Sequence, residues 1–310
     1  MQHEFSHKPV MLEEAMEALR PHSGGLYLDG TLGGAGHAEA ILARSSPGGR
    51  LVGFDLDSIA VETAQARLMP FAGRFEIRQA NFSEMAQLMA PSSCDGVLLD
   101  LGVSSPQLDV AERGFSFQET GPLDMRMDSR QALTAAALVN HSSAEELAKI
   151  FWEFGGERES RRIARAIVKD REAKRFETTR DLASLIERLS PRRGRRAHPA
   201  TRVFQALRIA VNDEIGSLKS GLVAAIGVLK PGGRLVVITF HSLEDRVVKE
   251  FARERARDYE TGGEADIPEL RRPKRPEVRI LTRKAVVPGP RETNENPRAR
   301  SAQMRVMEKL

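Results

Sequence analysis

The segment Asp29-Gly-Thr-Leu-Gly-Gly-Ala-Gly-His37, directly after the apolar run Leu26-Tyr-Leu-Asp29, decides the fold. The run reads as a buried strand stopped by Gly30. Gly36 to Arg44 reads as a helix with Ala38, Ile41 and Leu42 on one face. Glycines at 30, 33, 34 and 36 let the backbone turn sharply and approach a ligand with no Cβ in the way. The helix start adds unpaired N–H groups. A second strand, Leu51 to Asp55, ends on an acid nineteen residues past Gly36. A carboxylate there can accept hydrogen bonds from both hydroxyls of a ribose.

Outward from this loop the pattern repeats. Ser58 to Met69 reads as a helix stopped by Pro70, Arg74 to Gln79 as a third strand and Gly96 to Asp100 as a fourth. Strands alternating with helices at this spacing imply βαβ units and a parallel sheet. The fifth strand, Arg234 to Phe240, comes only after the turn Lys230-Pro-Gly-Gly233. Between them, amphipathic helices are expected at Ala144–Phe154, Arg161–Arg171, Thr179–Leu189 and Ala200–Asn212. Further strands are expected at Val278–Val287 and Gln303–Glu308. The expected fold is therefore α/β, a Rossmann-like sheet with an inserted all-helical domain. Its expected parts are 1–110 and 216–310 for the sheet and 111–215 for the insertion.

Two cofactor classes use a glycine loop of this kind. A dinucleotide loop wants G-x-G-x-x-G, but aligning Gly34 and Gly36 puts Glu39 at the third glycine, beside the pyrophosphate. S-adenosylmethionine carries no phosphate and tolerates that acid, so the expected sheet is that of a class I methyltransferase. Asn81 and Phe82, after the third strand, offer a polar group and a ring for adenine. No Walker-type G-x-x-x-x-G-K-[ST] occurs in the chain.

Bulk properties narrow the partners. The 310 residues are 41% hydrophobic and 29% charged, ordinary for a globular protein. The formal net charge is +4, yet Phe151 to Ile215 alone holds 16 Lys and Arg against 10 Asp and Glu. Arg192, Arg193, Arg195 and Arg196 form its sharpest cluster, a pattern that suits the phosphates of RNA. The one cysteine, Cys94, excludes an internal disulfide framework. The N-terminus has no signal-peptide pattern, and no run approaches the ~18 apolar residues of a membrane span. A cytoplasmic protein is expected, without membrane partners. No His, Cys and acid cluster has metal-ligand spacing, so no metal is expected. Monomer and homodimer are both left open.

The fourth strand ends at Asp100-Leu-Gly-Val-Ser-Ser-Pro-Gln107, where an open parallel sheet binds its ligands. This block and Asp29–His37 resemble the small-subunit (16S) ribosomal RNA cytosine-N(4) methyltransferase family, also called MraW or RsmH. So do Glu112-Arg-Gly-Phe-Ser-Phe117, Gly121-Pro-Leu-Asp-Met-Arg-Met-Asp128, His198-Pro-Ala-Thr-Arg202, Phe240-His-Ser-Leu-Glu-Asp-Arg246 and Asn296-Pro-Arg-Ala-Arg-Ser301. The resemblance spans residues 29 to 301. It implies S-adenosylmethionine-dependent methylation of a cytosine amine in the decoding region of 16S rRNA, within the small ribosomal subunit. Cofactor contacts are then expected on Gly34, Ala35, Gly36, His37, Asp55, Phe82, Asp100 and Gln107.

The residues speak to the chemistry independently. Methylation at carbon five of a pyrimidine needs a cysteine nucleophile, and Cys94 stands at the wrong end of the fourth strand. An exocyclic amine needs only orientation and a hydrogen-bond acceptor on its proton. Asp100 is the first candidate for that acceptor, or for holding the cofactor amino group. Ser104 and His241 complete the catalytic candidates, and His198 caps a helix start. A base-stacking ring would come from Phe115 or Phe117. A competing reading is an RNA-binding ribosome-assembly factor with a vestigial methyltransferase fold.

Overall fold

A computed structural model describes residues 9–190, 198–261 and 267–310. Among the described residues nine strands form: β1 (Leu26–Asp29), β2 (Arg50–Asp55), β3 (Phe75–Gln79), β4 (Cys94–Asp100), β5 (Leu229–Thr239), β6 (Tyr259–Glu260), β7 (Arg272–Pro273), β8 (Val278–Ile280) and β9 (Gln303–Lys309). The main sheet runs in the order β3-β2-β1-β4-β5-β9-β8. Its first five strands are parallel, and β9 is antiparallel to both β5 and β8. The strand order reverses between β1 and β4, so the crevice at that switch point lies between the ends Asp29 and Asp100. This is the Rossmann-like class I methyltransferase sheet expected from the sequence.

The chain forms two compact units, residues 1–102 with 215–310, and residues 103–214. In the first, alternate strand residues are buried on opposite faces. Leu28, Phe54, Val97, Leu99, Leu235 and Val237 pack on one side; Tyr27, Leu51, Leu98, Val236 and Ile238 pack on the other. Burial on both faces explains why these strands read as unbroken apolar runs. Helices α1 (Leu12–Leu19), α2 (Gly36–Arg44) and α3 (Ser58–Leu68) contribute to the second face. The short α4 (Met85–Leu88) contributes to the first.

The second unit is helical: α5 (Ser105–Asp109), α6 (Ala135–His141), α7 (Ala144–Glu153), α8 (Ser160–Asp170), α9 (Thr179–Leu189) and α10 (Thr201–Asn212). The expected apolar stripes meet in one core that includes Leu147, Phe151, Ile163, Ile167, Leu182 and Leu207. Burying each such side chain contributes roughly 1.5–3 kcal/mol. Reciprocal caps start two of these helices, Ser143 with Glu146 on α7 and Thr178 with Asp181 on α9. The chain then returns to the first unit through α11 (Glu214–Val228), whose Leu218, Leu222 and Ala225 pack on the β1 face that holds Leu28. It closes with α12 (Ser242–Arg255) and α13 (Pro290–Glu295).

Two expectations change. Lys230–Gly233 is a bulge inside β5 rather than a turn before it: Leu229 pairs with Cys94, and the ladder resumes at Arg234 opposite Gly96. The strand expected over Val278–Val287 rejoins β9 at Val286, opposite Met304, but its continuous ladder covers only Val278–Ile280. There the Thr282 hydroxyl, not a backbone carbonyl, accepts the Val306 N–H at 2.9 Å, and the ladder ends. Among the described residues no helix is long and apolar enough to cross a membrane.

Candidate active site

The loop after β1 is laced to the strands on both sides. Gly30 N donates to Leu98 O at 2.9 Å, toward β4, and Leu32 N donates to Phe54 O at 3.1 Å, toward β2. Gly33 N then reaches the Asp55 carboxylate at 2.8 Å. Ala35 holds a left-handed backbone (φ 57°) that costs a non-glycine residue about 1 kcal/mol. It is fully buried, and its N–H is fixed to Leu32 O at 2.6 Å. Gly36 opens α2 against the Pro9 ring, where a Cβ would fall 2.3 Å from Cγ. At Gly34 a Cβ would meet nothing, so the loop has open space on that side.

Two residues that sequence reasoning passed over hold this shape. Thr31 donates its N–H to Asp29 Oδ1 at 3.0 Å and accepts the Asp100 N–H on its hydroxyl at 2.7 Å, joining the ends of β1 and β4. Arg67 donates to Glu39 at 2.7 and 2.9 Å and to the Gly34 carbonyl at 2.8 Å. Glu39 is thus the anchor of a bracket over the glycine turn. The Asp-Gly-Thr sequence was a signal for Thr31. Arg67 gave none, because its partners lie about thirty residues away and only the fold brings them together.

Three carboxylates gather at the strand ends. Asp29 is 1% exposed, and burial raises its pKa to about 7 against the relief of the Thr31 N–H. Asp55 is raised to about 6, again by burial, while the N–H groups of Asp57 and Gly33 pull the other way. Asp100 is raised well above the usual range by burial, then by the charges of Asp29 and Glu244. Asp29 Oδ2 and Asp100 Oδ1 are buried with no hydrogen-bond partner. Asp100 nevertheless keeps 23% of its side chain accessible, so a ligand can reach it. Buried acceptors left bare are costly, and a donor or cation arriving there relieves them. A sulfonium nucleoside brings both, with its positive sulfur, its amino group and its ribose hydroxyls. The residues present therefore fit S-adenosylmethionine.

The remaining expected residues fall as follows. His37 is 5% exposed; its Nε2 donates to the Val10 carbonyl at 3.0 Å, which turns Nδ1 toward Asp100 Oδ2 at 3.6 Å. Phe82 is half-buried against α11, where a Cβ on Gly221 would lie 2.4 Å from its ring. His241 is the N-cap of α12: its Nδ1 accepts the Glu244 N–H at 3.4 Å, and Glu244 accepts the His241 N–H at 3.3 Å. Its Nε2 stands 3.0 Å from Glu244 Oε1 without hydrogen-bond alignment. Ser104 and Gln107 belong to the helical unit, where Ser104 N donates to Gln107 Oε1 at 3.0 Å.

Phe115 is buried in the helical core, which removes it as a base-stacking ring. Phe117 stacks on His198 at 4.5 Å and meets Phe204 edge-on at 4.9 Å. His198 accepts the Ala200 N–H at 3.2 Å before α10 and bonds Glu187 at 2.7 Å. Arg192, Arg193, Arg195 and Arg196 lie outside the described residues. Cys94 is fully buried at the first position of β4, opposite the end that carries Asp100.

Comparison with known proteins agrees with this geometry. The model of the MraW methylase family matches residues 4–310. The chain is 54% identical over 311 residues to the "Ribosomal RNA small subunit methyltransferase H" of Geobacter sulfurreducens, with 99% of each chain covered. It is 50% identical to the protein of that name from Carboxydothermus hydrogenoformans and 48% to the one from Magnetococcus marinus, again over 99% of each. With a family match along nearly its whole length and relatives at about half identity, this chain belongs to the MraW methylase family.

Proposed function

We propose that this protein transfers the methyl group of S-adenosylmethionine to the exocyclic N4 amine of a cytosine in the decoding region of 16S rRNA, in the cytoplasm, with the small ribosomal subunit as substrate. The observation that carries the reading is the pair of buried, unpartnered carboxylate oxygens on Asp29 and Asp100 that flank the glycine loop. The small-subunit rRNA named for the relatives supplies the substrate class.

Gly34, Ala35, Gly36 and His37 would line the cofactor, with Asp55 on its ribose, Phe82 beside its adenine and Gln107 as a further contact. When bound, the cofactor supplies an electrophilic methyl on a positively charged sulfur. That charge would favour the ionised forms of Asp29, Asp55 and Asp100, opposing the burial that raises their pKa values. An ionised Asp100 can then accept a hydrogen bond from the cytosine amine, orient its nitrogen and take the proton it loses, or else hold the cofactor amino group. Ser104 and His241 are the further candidates for contact with the base. Carbon methylation has no nucleophile here, because the only thiol is buried at the far end of β4. Residues 103–214, with Arg192, Arg193, Arg195 and Arg196, would grip the RNA.

The test supplies methyl-labelled S-adenosylmethionine with unmodified small subunits and digests the rRNA to nucleosides. Label in N4-methylcytidine is the expected result. Label on a ring carbon or a ribose rejects amine chemistry, and no label at all favours a vestigial assembly factor.

A further inference from the structure

Helix α12 lies across the edge formed by β8 and β9, and a groove of about 230 Å³ opens between them. Its floor is apolar, made by Ala252, Ile280 and Met307. Among the described residues its walls carry four cations, Lys249, Arg253, Arg283 and Arg305, and no carboxylate. Arg305 is neutralised by Asp245 through two bonds of 2.6 and 3.0 Å. Lys249, Arg253 and Arg283 have neither an ion pair nor a side-chain hydrogen bond among the described residues. Nearby arginines behave differently: Arg234 and Arg279 share Glu308, and Arg255 pairs with Glu277. Three like charges held around one cavity repel one another until an anion enters.

We propose that this groove binds a phosphodiester of the RNA substrate, with the apolar floor under the attached ribose or base. The inference rests on RNA being the substrate. An arginine fork and a lysine point charge together suit a tetrahedral phosphate. The position suits an RNA already engaged at the strand ends. At 1.5 Å per residue, Lys249 and Arg253 stand roughly 11 and 17 Å along α12 from its first residue, Ser242, which follows β5. The groove would therefore hold the strand a few nucleotides from the reacting base.

The experiment uses the full-length protein with Lys249, Arg253 and Arg283 all changed to Gln, and a companion with Lys249→Arg, Arg253→Lys and Arg283→Lys. RNA affinity for a single-stranded 16S fragment is measured across a salt series. S-adenosylmethionine affinity is measured as a control for folding. The Gln variant should bind RNA about ten-fold more weakly. Its log–log salt slope should fall by about 0.7, the contribution of the one phosphate charge no longer neutralised. Cofactor affinity should be unchanged, and the charge-preserving variant should match wild type. A wild-type slope in the Gln variant, or equal weakening in both variants, overturns the groove while leaving the RNA reading intact. A wild-type protein that binds no RNA overturns the substrate reading itself.

Discussion

In the helical unit, Asn212 is 9% exposed and every arm of its amide is used. It accepts the Met127 N–H at 2.7 Å and donates to the carbonyls of Met125 and Arg208 at 2.8 and 2.9 Å. In the α/β unit, Asp29 and Asp100 are held at neighbouring strand ends with one oxygen each left bare. Among the described residues, every buried polar side-chain atom without a partner lies in the α/β unit. One unit spends its buried polarity on architecture, whereas the other keeps some in reserve at the place where a parallel sheet binds ligands. An unmet buried acceptor calls for an explanation, and at the end of a parallel strand an arriving ligand supplies one.

The contrast can be broken most severely at Asp55. Charge-assisted hydrogen bonds contribute about 1.5–3 kcal/mol each, so Asp55→Ala should weaken S-adenosylmethionine binding by a factor on the order of 100 or more in calorimetry. The same change frees the Gly33 N–H from its anchor. Equal binding by this variant would return the loop to a structural role.

Stability should respond with opposite signs in the two units. Asn212→Ala strands buried backbone groups and should destabilise the protein by about 2–3 kcal/mol in denaturant unfolding. Asp29→Asn should stabilise the cofactor-free protein by about 2 kcal/mol near pH 8, because it removes a carboxylate whose ionisation burial opposes. The same variant should lose cofactor affinity. Destabilisation by Asp29→Asn would show that the strand-end acid is structural after all.

A pH series sharpens the same point. Asp29 and Asp55 titrate at about 7 and 6 in the folded protein against 3.8 in the unfolded chain. Between these values the folded state holds more protons, so their contribution to stability is complete below about pH 4 and is lost as pH rises through 7. The melting temperature of the cofactor-free protein should carry this downward term, and Asp29→Asn should flatten it. The smallest effect belongs to the helical unit's caps, where Ser143→Ala should cost about 1 kcal/mol and leave cofactor affinity alone.

Much of this arrangement was legible in the sequence alone. The glycine run, Asp55 and Asp100 announced the crevice because their spacing is local to strands and the turns that follow them. Helix α9 was readable to the residue, since a Thr178 cap and a regular apolar stripe bound it. What escaped was whatever depends on distant partners. Arg67 braces the loop across a fold contact, and the β8 ladder ends on a Thr282 side chain. Phe115 looked available in sequence and is spent in the core. Single-residue patterns cannot reveal these assignments, because each is settled by what the rest of the chain brings alongside.

The most direct test is calorimetric titration of the full-length protein with S-adenosylmethionine near pH 6.5, in two buffers of different ionisation enthalpy. The strand-end acids should bind the cation and release protons. Affinity should therefore tighten as pH rises from about 5.5 to 7.5. Absence of binding, or binding with proton uptake, would contradict the placement of the cofactor against these carboxylates.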